Sequence, residues 1–176
     1  KKGVLAVSEI DYQWNQSHPF AGQLIAGAFY DSSNQPTLAN TDILNRGNRQ
    51  FYFATQQMIF QSNDADPNEG LTAWGTYSYS PSRTVSLFTH FFATGLSYQG
   101  LFSRKNDITS IGFAKGWFTQ EVNPSTYENV VDLSYVWKVN KVVSIQPDLQ
   151  YVIRPGGDGI LPNAWIFGFM ASFYFD

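Results

Sequence analysis

The chain contains no cysteine. That excludes a disulfide scaffold, a cysteine-ligated zinc site and a thiol nucleophile. Charge is scarce as well: Asp, Glu, Lys and Arg make up 14% of the 176 residues, where about 25% is usual for a soluble domain. A net charge of −3 gives no general polyanion-binding surface, so nucleic acid is not an expected partner. Two histidines and two methionines leave little for a metal site, and no metal or cofactor is expected. Long apolar runs are also missing. The longest, 165–175, is broken by Gly168 and Ser172, and a spanning helix needs about 18 apolar residues. Lys1-Lys2-Gly3 is not followed by the apolar stretch and small-residue cleavage site of a signal peptide. Any export signal is therefore expected to have been removed, or to precede a chain that starts inside a longer one.

What the chain does have is rings. Aromatic residues are 17% and hydrophobic residues 43%, which excludes intrinsic disorder. The length is that of one domain, and neither a domain boundary nor an exact repeat is visible.

The dominant period is two. Ile10, Tyr12 and Trp14 alternate with Glu9, Asp11 and Gln13. Val131, Leu133, Tyr135 and Trp137 are set against Asp132, Ser134 and Lys138. Val143, Ile145, Pro147, Leu149, Tyr151 and Ile153 are set against Ser144, Gln146, Asp148, Gln150 and Arg154. Such alternation marks strands with one apolar and one polar face. Clusters of Asn, Asp, Ser, Gly and Pro separate them: Asp31-Ser32-Ser33-Asn34-Gln35-Pro36, 63–70, Ser80-Pro81-Ser82, Ser103-Arg104-Lys105-Asn106, Asn123-Pro124-Ser125 and Pro155-Gly156-Gly157-Asp158-Gly159. About nine strands follow from this reading: 4–15, 21–31, 49–61, 71–79, 84–99, 108–119, 127–139, 142–153 and 163–175. A helical turn is expected at 40–46. Val139-Asn140-Lys141-Val142 reads as a tight hairpin, and Ser80-Pro81-Ser82 as another short turn. The stretches 31–48 and 154–163 are longer, so short turns are expected at one end and long loops at the other, the pattern of an outer-membrane barrel.

A soluble sandwich and a membrane barrel share this strand pattern. Two features favour the membrane. The apolar faces are rich in Tyr, Trp and Phe, as interfacial girdles require. The last strand is apolar at Trp165, Phe167, Phe169, Ala171, Phe173 and Phe175, while its other face is small or mixed: Ala164, Gly168, Ser172. An aromatic-x-aromatic ending of this kind resembles the terminal strand that bacterial barrel-assembly machinery reads. The expected fold class is therefore all-β, an antiparallel transmembrane β-barrel of outer-membrane porin type.

In such a barrel the polar partners of the apolar strands face the lumen. The pore-lining candidates are Glu9, Asp11 and Gln13; Asp132, Ser134 and Lys138; and Gln146, Asp148, Gln150 and Arg154. Gln57 and Gln61 are weaker candidates, because their strand alternates poorly. Asp148 with Arg154, or Asp132 with Lys138, would set a field across the pore if paired. Pro147 has no N–H for the ladder and predicts a bulge or a local break. No enzymatic activity is expected. His18 lies beside Pro19 in a loop, His90 lies in a strand, and no serine sits in a Gly-x-Ser-x-Gly elbow. Asp64 and Asp66 share a loop with Asn63 and Asn68, a composition that suits either weak calcium binding or a solvated turn.

Several segments resemble the carbohydrate-selective porins of the OprB family. Ser144-Ile145-Gln146-Pro147-Asp148-Leu149-Gln150-Tyr151-Val152-Ile153-Arg154-Pro155-Gly156-Gly157 resembles that family's penultimate strand and the loop after it. Asn163-Ala164-Trp165-Ile166-Phe167-Gly168 resembles its last strand. Gly95-Leu96-Ser97-Tyr98-Gln99-Gly100-Leu101-Phe102, with Arg104 and Asp107, is similar to a strand, turn and return. Tyr127-Glu128 and Leu133-Ser134-Tyr135 fit the next strand. Gly27-Ala28-Phe29-Tyr30-Asp31 and Phe53-Ala54-Thr55-Gln56-Gln57 match more loosely. The resemblance implies diffusion of carbohydrates and other small hydrophilic solutes across the outer membrane of a Gram-negative bacterium. Outer-membrane lipid and the barrel-assembly machinery are the implied partners. Porins as a class often form trimers, so a homo-oligomer is a further expectation, although no interface is marked in the sequence. The chain departs from the family by ending Phe175-Asp176 where a terminal aromatic is expected. It is also short for a barrel of roughly sixteen strands, so residues 1–176 are expected to be the C-terminal portion of a porin. The competing expectations are a small non-conducting barrel with a structural or adhesive role, and a soluble ligand-binding β-barrel.

Overall fold

The computed structural model describes residues 3–16, 20–62, 66–121 and 127–174. They form a single antiparallel sheet of nine strands in which each strand is bonded to the next in sequence. The strands are β1 (Leu5–Trp14), β2 (Gly22–Pro36), β3 (Leu44–Gln61), β4 (Gly70–Tyr79), β5 (Phe88–Gln99), β6 (Ile108–Phe118), β7 (Tyr127–Lys138), β8 (Val143–Ile153) and β9 (Ala164–Phe173). One short 3-10 turn, Leu101–Ser103, interrupts them. His18, Asp64, the turn Asn123-Pro124-Ser125 and the Phe175-Asp176 ending lie outside the described residues.

The period-two segments fold as expected, and the differences fall where polar clusters do something other than turn. Asp31-Ser32-Ser33 is a bulge inside the sheet. Pairing runs from Asp31↔Asn48 to Asn34↔Arg46 with a register shift between them. The Asp31 carboxylate accepts the Ser33 amide at 2.8 Å and the Gln35 amide side chain at 2.8 Å, so local polar bonds replace the missing ladder. The β2–β3 hairpin therefore extends to Pro36 and Leu44. The helical turn expected at 40–46 does not form. Ile43 N–H reaches the Asn40 carbonyl at 3.1 Å, closing a turn, and residues 44–46 are strand. The strand expected from residue 84 starts instead at Phe88. Residues 80–87 leave the ladder to brace the extended hairpin: the Leu38 amide donates to the Thr84 carbonyl at 2.8 Å and the Arg49 amide to Ser82 Oγ at 3.1 Å.

The expected alternation of short and long connections is only partly present. Residues 62–69 and 100–107 at one end are matched by 80–87 and 119–126 at the other. The asymmetry rests on the tight 139–142 turn, the longer 154–163 loop and the projecting β2–β3 hairpin at the same end as that loop. At the tight turn, Asn140 Oδ1 accepts the amides of Val142 and Val143 at 2.8 and 2.9 Å. At Pro147 the expected local break is present and the bulge is not. The β7–β8 ladder skips from Ser134↔Asp148 to Trp137↔Ile145 in unchanged register, and the β8–β9 ladder continues through Pro147↔Phe169. A missing N–H breaks a bond there but inserts no residue.

The sheet has no conventional core. Among the described residues the buried hydrophobic ones are Met58, Ala93 and Val152. One register row links Leu96, Ile111, Leu133, Leu149 and Phe167 on a single face. These five are 40, 52, 48, 38 and 76% exposed, and all but Phe167 lie on strands paired on both sides. No second sheet covers them among the described residues, which removes the sandwich reading. An uncovered apolar face of this extent suits hydrocarbon, not water.

The deepest side chains are polar. Thr119 is fully buried, with its hydroxyl on the Arg83 carbonyl at 2.7 Å. Asp107 is 2% exposed and clamps the turn between β5 and β6 onto β7. It accepts bonds from the Arg104 guanidinium, from the Tyr135 hydroxyl at 2.5 Å and from the Lys138 amide at 2.9 Å. Burial pushes its carboxyl group upward, and these three donors outweigh burial and hold it below the ordinary carboxylate range.

Two predictions follow from the fold. Leu133→Arg places a charge on the apolar face and costs about 2–4 kcal/mol at mid-membrane depth, whereas Ser134→Arg on the other face costs much less. Urea unfolding of the native protein in lipid vesicles measures both, and equal losses would invert the facing. The lowered Asp107 group contributes stability that is full above its ordinary pKa, about 3.9, and is lost as pH falls through the depressed value. Asp107→Asn therefore lowers the urea midpoint at pH 7 and flattens its decline toward pH 3. An acid limb as steep as that of the unaltered protein would refute this clamp.

Candidate functional site

Side chains of directly paired strand residues share a face, so the ladders assign each candidate without appeal to composition. One row runs Gln13, Gln23, Gln56, Trp74, Gly95, Gly112, Asp132 and Gln150. The adjoining rows hold Asp11 and Glu9 on β1, and Ser97, Ser110, Ser134 and Asp148 on β5 to β8. Lys138 faces Ser144 on this side near one end, and Gln146 lies between them and Asp148. Gln61, paired with Gly70 beyond the register shift after Met58, returns to the same face. Arg154 follows β8 in a left-handed conformation.

On the polar face the β1 residues join a network reaching β3. Gln23 Nε2 donates to both carboxylate oxygens of Asp11 at 3.0 Å, and Gln56 Nε2 donates to Gln23 Oε1 at 3.2 Å. Gln13 Nε2 reaches Asp11 at 3.0 Å. The Tyr52 hydroxyl donates to Glu9 Oε2 at 2.5 Å, and its ring crosses Gly27, where a Cβ would stand 2.3 Å from Tyr52 Cζ. On β7 and β8, Asp132 is paired with Gln150, and Asp148 lies on the same face one row along. Gly168 on β9 leaves the space that Asp148 fills, a Cβ there falling 2.9 Å from Asp148 Oδ1. The candidate carboxylates Glu9, Asp11, Asp132 and Asp148 thus lie on one face, with Asp31 and Glu128.

The two ion pairs suggested by the sequence do not form. Asp132 and Lys138 are six residues apart on one strand, about 20 Å at strand rise, and Arg154 lies beyond the end of β8, six residues after Asp148. Lys138 Nζ instead bonds the Tyr174 hydroxyl at 3.1 Å and lies over that ring. Arg154 lies over the Tyr127 ring at 4.5 Å. Gln57 is on the apolar face, where its carbonyl oxygen accepts the Trp14 indole N–H at 3.0 Å. The polar glutamine of β3 is its neighbour Gln56. Gln23, Tyr52, Gln56 and Trp74 were not singled out from the sequence. Their strands are broken by Gly, Ala and Thr, and only pairing with β1 and β5 reveals their side.

The opposite face carries rings toward the end that bears the 154–163 loop. His90 stacks on Tyr79 at 4.8 Å, meets Trp117 edge-on at 6.2 Å and bonds the Tyr77 hydroxyl at 2.7 Å. Tyr151 packs on Trp165 at 4.6 Å. Lys115 turns its ammonium onto Tyr127 and Trp117 at 4.3 and 4.8 Å, as a snorkelling cation does at a membrane interface. Asp66 accepts the Asn68 amide at 3.0 Å, a turn interaction. Among the described residues no three His, Cys, Asp or Glu side chains gather as metal ligands.

A single-layer antiparallel sheet, hydrogen-bonded strand to next strand, with a ringed apolar face and a polar one carrying carboxylates, defines a wall of an outer-membrane porin-type β-barrel. The chain belongs to the family described as carbohydrate-selective porin, OprB family, whose model matches residues 1–175. A protein of Acinetobacter baylyi named as a porin, QuiX, is 23% identical over 172 residues, covering 84% of this chain and 39% of that protein. The high-pH structure of Pseudomonas putida OprB superposes with a TM-score of 0.85 at 19% identity, over 98% of this chain and 49% of that one. The chain thus spans less than half the length of either relative.

Proposed function

We propose that this chain forms part of the wall of a water-filled outer-membrane channel, in a Gram-negative bacterium, through which carbohydrates and other small hydrophilic solutes diffuse. The observation that carries the reading is the two-faced single layer, with uncovered Leu96, Ile111, Leu133 and Leu149 on one side and the Gln13-to-Gln150 row on the other. Only lipid outside and water inside satisfy both. Family membership supports sugar as the solute class. Among the described residues β1 pairs with β2 and β9 with β8 alone, so further strands must close the wall. We take residues 1–176 as the C-terminal portion of a barrel of roughly sixteen strands. The aromatic face of β9, with Trp165, Phe167, Phe169 and Phe173, would be the segment that assembly machinery engages. The wall performs no bond chemistry. Its hydroxyls, amides and carboxylates replace part of a solute's hydration as it passes.

The test uses the native porin purified from outer membranes. In liposomes it admits glucose faster than protein-free controls, and a well-folded protein that gives no swelling would leave a non-conducting barrel. Asp132→Asn combined with Asp148→Asn removes two negative charges from the wall. In a salt gradient across a planar bilayer the reversal potential then moves toward anion preference. An unmoved potential would take these two residues out of the lumen.

A further inference from the structure

Trp74 is a large ring on the polar face, and the sheet is shaped around it. In its register row the next two positions are Gly95 and Gly112. A Cβ on Gly95 would stand 2.5 Å from Trp74 Cζ2, and one on Gly112 would stand 3.3 Å from the same atom. The two glycines form a bay in which the six-membered ring lies. On the other side of the indole is a cavity of about 290 Å³, lined by Gln23, Ile25, Ala54, Gln56, Trp74 and Thr76. Its floor is apolar and its rim is amide and hydroxyl. The rim is also oriented. Gln56 Nε2 is drawn toward Gln23, which is itself held by Asp11, and among the described residues nothing donates to Gln56 Oε1. Thr76 Oγ1 donates to the Phe53 carbonyl at 3.0 Å and keeps its acceptor side.

That combination matches one class of solute. A pyranose ring presents apolar C–H faces and a belt of hydroxyls. An indole edge with Ile25 and Ala54 receives the first, and Gln56 with Thr76 receives the second. An anion would meet a wall already carrying Asp11 and Asp132, and a cation would find no carboxylate lining the cavity. The volume sits at the lower end of ligand pockets, about 300–1,000 Å³, which suits a single sugar ring. We propose that Trp74, with Gln56, Thr76 and Ile25, forms a binding step for a neutral monosaccharide on the channel wall. This deepens the channel reading and rests on it.

The native porin in planar bilayers tests it, with glucose added to the salt solution. The unaltered channel shows glucose-dependent current reduction or noise that saturates. Trp74→Ala weakens the apparent glucose affinity by about tenfold, the scale of one lost aromatic contact, while conductance in salt alone is kept or raised. Gly112→Leu fills the bay, displaces the indole and reproduces the loss with Trp74 still present. Trp165→Ala, on the opposite face, leaves the glucose response unchanged. Folding of each variant is checked by heat-modifiable migration, and Trp74→Leu, which keeps apolar bulk, serves if the alanine variant fails to fold. A glucose response that survives both Trp74 substitutions overturns the binding step and leaves the channel intact. Conduction without any glucose response in the unaltered protein overturns it too. Absence of conduction overturns the channel reading itself.

Discussion

Backbone hydrogen bonding is the constraint on which the rest of this structure depends, because hydrocarbon offers no partner for an unpaired amide. The ladder from β1 to β9 meets that demand strand by strand. Once every amide points sideways to a neighbour, side chains can only go up or down, and the sheet acquires two solvents. The placement of Pro147 shows how much local variation this allows. Its missing donor opens a gap toward β7, yet the register is kept and the β9 ladder is unbroken. A register slip would have moved Asp148 onto the apolar face.

A sheet one layer thick cannot hold its turns with a hydrophobic core, and this one holds them with polar clamps. Asp107 fastens one turn to β7 through Arg104, Tyr135 and a backbone amide. Thr119 and the Ser80–Ser86 hydroxyl pair fasten the loop before β5. Each clamp is a buried polar group with several partners, the only form in which such burial is favourable. The extended β2–β3 hairpin is held in the same way, by Thr84 and Ser82 from the neighbouring loop.

The polar face gains its relief from glycine. Gly27 makes room for Tyr52, Gly95 and Gly112 for Trp74, and Gly168 for Asp148. Large groups can then lie along the wall instead of standing off it. The relief places acceptor-rich groups beside aromatic ones on a single face.

Alternation along the chain specifies the strands and, where it is strong, their faces. Ile10, Tyr12 and Trp14 against Glu9, Asp11 and Gln13 need no tertiary information, because the pleat alone sends neighbours to opposite sides. The same holds for β7, β8 and β9. Tertiary structure decided what period two cannot express. Gln56, not Gln57, joins the polar row because pairing with Gln23 sets its side. Register puts Trp74 and Tyr52 on that face as well, and glycines on other strands make space for them. The suggested Asp132–Lys138 pair failed for the complementary reason: residues six apart on one strand share a face but stand about 20 Å from each other along it. Contacts across a sheet come from register, and register is fixed between strands, not within one.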